Sequence, residues 1–171
     1  MCMGITVLIP ESLIKKAKEK GIAIEDLIIE LLTSKLGLDP KEEAELHLEL
    51  AKRYLREGEG LIDRDPIQAS EKLYKVAEEC VKAVAKLLRV EDVVKRVRER
   101  GRWVLKDLEY VAMISKSKLG ESFYIGWDMA CFLHVWGFHE AKLDPDSIRS
   151  RLPYIKRMVS SVEKLLCGSK A

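Results

Sequence analysis

The stretch DPIQASEKLYKVAEECVKAVAKLL, residues 65–88, carries the strongest helical pattern in the chain. Asp65 is a good helix cap, and Pro66 suits the first helical position, where its missing N–H leaves no bond unmade. Ile67, Ser70, Tyr74, Ala77, Val81, Val84 and Leu88 follow at intervals of three or four, so they line one face of a helix. Leu73, Cys80 and Leu87 widen that face. A helix with so broad an apolar side is expected to touch two neighbours.

The same start signal recurs at Asp39-Pro40 and at Asp144-Pro145. The first opens a helix bearing Leu46, Leu50, Ala51, Tyr54 and Leu55, which fades at Gly58 and Gly60. The second opens the last helix, where Ile148, Leu152, Ile155, Val159, Val162 and Leu166 repeat at helical spacing; Pro153 inside it predicts a kink or a division. Residues 91–119 read as a helical tract interrupted or curved near Gly101, followed by an aromatic-rich segment after Gly120. Five long helical segments with short connections predict an all-α fold, an antiparallel bundle.

Upstream, residues 5–9 (ITVLI) read as a short strand stopped by Pro10. One helix then runs to Gly21, and a second over residues 23–36 ends at Gly37. Helices this short are marginal alone. The boundary is therefore placed at residue 37: residues 1–37 form a strand-helix-helix appendage, expected to be a dimerisation element, and residues 38–171 form the bundle. The lone strand would pair across a homodimer, the oligomer expected here.

Composition narrows the function classes. The chain has 171 residues, 47% of them hydrophobic, with 30 Lys plus Arg against 28 Asp plus Glu and a formal net charge of +2. That balance gives no polyanion-binding tail. No apolar run is long enough to cross a membrane. The N-terminal apolar stretch breaks at Pro10 and has no basic start, so it is not a signal peptide, and the cytoplasm is the default location. The four cysteines contain no CxxC pair, which speaks against both a metal cluster and a disulfide framework.

Few residues point to chemistry. A phosphate loop, HExxH and GxSxG are all absent. His134 lies beside an apolar seam with Ala130, Trp127 and Phe138, and reads as a seam histidine bonded to a carboxylate or as part of a ligand pocket. Its expected partners are Glu78 or Glu79 on the helix that also carries Tyr74. His139 and Glu140 complete the candidate pocket, although His134 and His139, five apart, diverge by about 140° on an α-helix and should not share a face. No metal and no cofactor are expected. Arg96, Arg98, Arg100 and Arg102 form a candidate basic surface, read either as a solvated face or as a nucleic-acid contact. The N-terminal strand-helix-helix order also suggests a ribbon-helix-helix DNA reader, but Thr6 and Leu8 on one side and Ile5, Val7 and Ile9 on the other offer nothing to base edges.

Four stretches carry a family resemblance: IPESLIKKAKEKGIAIEDLIIELL (residues 9–32), DPIQASEKLYKVAEECVKAVA (65–85), FLHVWGFHEAKLD (132–144) and RLPYIKRMV (151–159). They resemble the archaeal PaREP family, types one and eight, which is similar to the HEPN superfamily of helical bundles. The resemblance implies a HEPN-like bundle, an archaeal cytoplasm, a dimer and no assigned activity, and the expected role is an interaction or assembly module binding a nucleotide or a protein partner. The superfamily also implies an alternative, a metal-independent ribonuclease or toxin-like protein. Its ribonuclease motif places an Arg four to six residues before a His. Here the nearest Arg before His134 is Arg102, so the pattern is missing.

Overall fold

The computed structural model describes residues 6–168. Among these, eight α-helices and one π-helix follow in the order α1 (Glu11–Glu19), α2 (Ile24–Leu36), α3 (Pro40–Leu61), α4 (Pro66–Leu87), α5 (Glu91–Arg100), α6 (Leu105–Leu119), α7 (Glu121–Phe132), the π segment (Leu133–His139) and α8 (Pro145–Gly168). The three Asp-Pro signals each open a helix. Asp39 Oδ1 accepts from the Lys41 and Glu42 amides at 2.8 and 2.9 Å, while Glu42 returns a bond to the Asp39 amide at 2.8 Å. This reciprocal pair is a capping box. Asp65 accepts from the Gln68 amide at 3.0 Å, and Asp144 from the Ser147 amide at 2.7 Å. Gly37 and Gly101 close α2 and α5 in left-handed conformation.

Helix α4 is the axis of the bundle. It packs against α3, α8, the π segment, α6, α7 and α5, and Val76, Ala77, Cys80, Val81, Ala83 and Val84 are fully buried. Neighbours therefore surround it on more than the two sides expected. The other helices complete a single apolar core with Trp127, Phe123, Leu133, Ile148, Ile155 and Met158. Helix α8 runs continuously through Pro153, so the proline does not divide it. Helix α7 lies close against α8 at Gly126, where a Cβ would sit 2.5 Å from Met158 Cγ and 3.0 Å from the Tyr154 carbonyl oxygen.

The expected N-terminal strand is corrected. Ile5 lies outside the described residues, and residues 6–10 have no regular structure. Leu8 is 95% exposed. The physical reason is the one that recommended a dimer: a strand exists only against a partner edge, and no strand forms among the described residues of this chain.

Candidate functional site

The site begins with the backbone of the π segment. In a π turn the hydrogen bond spans five residues instead of four, and the Glu140 amide donates to the Val135 carbonyl at 2.9 Å. Residues five apart are thereby stacked one above the other. His134 and His139 face each other, with Nε2 atoms 3.0 Å apart and ring planes at 82°. The expectation that they point apart held only for α geometry. The π segment can lie against α4 because residue 137 is glycine: a Cβ there would come within 2.5 Å of Ser70 Cβ and closer still to its hydroxyl.

Helix α4 supplies the next shell. His134 Nδ1 donates to Glu71 Oε2 at 2.7 Å, so the carboxylate is Glu71 and not Glu78 or Glu79 as expected. The Tyr74 ring stacks on the His134 ring at 4.1 Å, and Phe138 covers it at 5.8 Å between centroids. With Nδ1–H given to the Glu71 carboxylate, the Nε2 lone pair is turned towards His139. His139 Nε2–H then donates to it. The result is a half-exposed Glu71–His134–His139 relay fixed by two ring contacts.

Further along the same stripe of α4 lie Glu78, four residues after Tyr74, and Lys82, four residues after Glu78. Partial burial pushes the Glu78 carboxyl up to about 7, with Asp26, Glu79 and Glu71 adding to it against the pull of Lys82. Burial also raises the Tyr74 hydroxyl, as do Glu78, Cys131 and Glu71. Glu79 behaves oppositely. Burial disfavours its charge, but Lys82 and His47 outweigh that and hold it at about 2. His47 Nδ1 donates to Glu79 at 2.7 Å, and the Lys82 ammonium, only 2% exposed, bonds Glu79 and Asp26, both at 2.8 Å. His47, Lys82, Asp26 and Glu71 were not singled out from the sequence. The available signal was helical spacing: Glu71, Tyr74, Glu78 and Lys82 share one stripe, and only the apolar stripe beside it was followed.

The remaining candidates make contacts away from the histidine pair. Trp127 is buried and donates to Glu109 at 2.6 Å, beside the Tyr124 hydroxyl at 2.6 Å on the same carboxylate. Glu140 is exposed and pairs with Lys142 at 3.2 Å. The four arginines are engaged in tying helices together. Arg100 and Arg96 hold the buried Asp107 at 2.7 and 3.5 Å, Arg98 bonds Glu43 at 3.0 Å, and Arg102 donates to the Gly21 carbonyl at 2.7 Å. Among the described residues, no group of three His, Cys, Asp or Glu side chains is placed to hold a metal, and no helix is long and apolar enough to cross a membrane.

Comparison with known proteins bears on the same region. The profile of the archaeal PaREP1/PaREP8 family matches residues 46–159, which include Glu71, Tyr74, His134 and His139 but neither α1 nor α2. A crystal structure of a protein from Sulfolobus solfataricus is similar, with a TM-score of 0.63 and 29% identity over 68% of this chain and 95% of that one. A solution structure of the same structural-genomics target gives a TM-score of 0.55 and 28% identity, covering 72% and 90%. No curated protein matches the chain.

Proposed function

The chain belongs to the archaeal PaREP1/PaREP8 family, and from that premise we propose that it is a self-associating interaction module of the archaeal cytoplasm. Its partner is a second copy, held through residues 1–37, while residues 38–171 form a HEPN-like bundle. The observation that carries this is the orientation of α2. Two of its acidic side chains point inwards: Asp26 bonds Lys82 at 2.8 Å and Glu30 lies 3.5 Å from Lys86, while the exposed Glu25 reaches Lys75 at 3.4 Å from the rim. Three of its leucines point outwards. Leu31, Leu32 and Leu36 are all exposed, the last by 70%, while Ile24, Leu27, Ile28 and Ile29 are half-buried and Thr33 is the one buried residue of the helix.

A helix packed with its leucines to solvent forgoes about 1.5–3 kcal/mol for each. Beside it runs an apolar groove of about 270 Å³ lined by Ile29, Leu32, Leu36, Leu38, Leu46 and Leu50. Leu32 and Leu36 belong both to the exposed ridge of α2 and to this groove between α2 and α3, so a two-fold axis sets the apolar surface of each copy against the same surface of the other. Sedimentation of the full chain is the test. A dimer that becomes a folded monomer on Leu32→Glu with Leu36→Glu supports the reading, and a wild-type monomer at 100 μM would end it.

The alternative is a metal-independent ribonuclease, favoured by one observation, the Glu71–His134–His139 relay, which suits general acid–base work. RNA cleavage that survives EDTA and disappears in His134→Gln would establish it. The absence of an Arg four to six residues before either histidine weighs against it.

A further inference from the structure

We infer that His134 Nε2 and His139 Nε2 form a binding site for a late first-row divalent transition ion of the Ni²⁺, Cu²⁺ and Zn²⁺ class, with Glu71 as its positioning residue. The geometry of the two imidazoles holds whichever of the two functional readings above is true.

Metal–imidazole bonds are about 2.0–2.1 Å, so two of them meeting between a right angle and the tetrahedral angle hold their nitrogens about 2.9–3.4 Å apart. The observed separation is 3.0 Å, with the rings nearly perpendicular. Imidazole suits these ions better than it suits Mg²⁺ or Ca²⁺, which take oxygen. A ligating histidine usually gives its other N–H to a carboxylate, which fixes the tautomer and raises ligand basicity. Glu71 does this for His134 at 2.7 Å. The ring is further held by Tyr74 and Phe138, so little freedom is lost when the ion arrives.

Entry of the ion moves one proton. In the free protein the His139 Nε2–H points at the His134 lone pair. On binding, Nε2 gives its proton to solvent while Nδ1 takes one from solvent, so His139 is held as the neutral Nδ1–H tautomer with no net release, which leaves two lone pairs for the ion. The exposed side of His139 leaves the other coordination positions to water. Glu140, paired with Lys142, is not one of the ligands. The protein supplies two ligands, and no third His, Cys, Asp or Glu joins them among the described residues.

The experiment is calorimetric titration of the full chain with Ni²⁺ at pH 7.5, beside His134→Gln, His139→Gln and Glu71→Gln. The wild type should bind one equivalent that both histidine variants lose. Glu71→Gln should retain the equivalent with affinity weakened about 10–100-fold. Other Ni²⁺-binding groups of the chain contribute equally to all four proteins and cancel. Circular dichroism checks folding. Should His134→Gln unfold, His139→Gln, whose ring is exposed, carries the test alone. Imidazole ¹⁵N spectra should show the Nε2 signals of both histidines moving with the ion. Equal stoichiometry in wild type and His139→Gln, or no wild-type binding up to millimolar Ni²⁺, would overturn the inference. Unchanged affinity in Glu71→Gln would remove the role assigned to the carboxylate.

Discussion

His134 and His139 hold their Nε2 atoms 3.0 Å apart although five residues separate them in sequence. On an α-helix such residues diverge by about 140°, so this contact exists only while the π segment persists. What keeps the segment in place is its fit against α4, at Gly137 below and at Glu71 and Tyr74 beside the histidine.

Gly137→Ala should therefore destabilise the protein by about 1–3 kcal/mol, the usual cost of forcing extra volume into a packed site. The added methyl meets Ser70, whose backbone is fixed within α4. Urea denaturation checks the magnitude, and Ser70→Gly in the same chain should restore most of the loss. Equal stability of Gly137→Ala and the wild type would show that the close approach is not what positions the segment.

Lys82→Met should cost about 3–5 kcal/mol, the range for removing one member of a buried ion pair. It leaves Glu79 with His47 alone and Asp26 without its partner. Replacing Glu79 and Lys82 together by Leu and Met should recover a part of that cost, because the most tightly bonded carboxylate is then gone and only Asp26 and Glu78 still face the lost cation. Urea midpoints of the single and double variants make the comparison.

Glu78 and Glu79 give opposite dependences on pH. The Glu79 pKa of about 2 lies below the unfolded value near 4.3, so its stabilisation is present above pH 4.3 and lost as the pH falls towards 2. The Glu78 pKa of about 7 lies above the unfolded value, so its contribution is full below about pH 4.3 and lost as the pH rises through 7. Glu78→Gln should remove the second decline, gaining on the order of 1–3 kcal/mol relative to the wild type between pH 4.5 and 8. Parallel stability curves for the two proteins over that range would contradict the assignment.

Arg100→Ala should lower stability by about 1.5–3 kcal/mol, as expected for a hydrogen bond to a buried charge. Asp107 is 4% exposed and would retain only Arg96 at 3.5 Å. The effect should appear in thermal unfolding, and Asp107→Asn in the Arg100→Ala background should cost little more.

The helices were legible because their ends carry local chemistry: Asp-Pro at Asp39, Asp65 and Asp144, and glycine at Gly37 and Gly101. The site was legible only in part. His134, His139 and Tyr74 stood out by type, but facing them across one turn requires a π bond, and periodicity arguments assume 100° per residue throughout. Choosing Glu71 over Glu78 or Glu79 depends on the register between α4 and the π segment, which neither sequence pattern specifies. His47 sits among the apolar positions of α3, where its pairing with Glu79 leaves no local trace. The orientation of α2 left no trace of its own in the sequence, because it is set by Lys82 and Lys86 of α4, which draw Asp26 and Glu30 inwards.

A π turn uses one residue more than an α turn, so Leu133–His139 can be regarded as an α-helix carrying a single insertion. The histidine spacing then becomes a ruler for alignments. A relative lacking that one residue would close the turn as an ordinary α-helix, and it would keep both imidazoles together only if its histidines stood four apart. A one-residue gap between the two histidine columns would thus mark a change of helix type with the pair preserved, whereas a gap anywhere else in the segment would swing one imidazole away from the other.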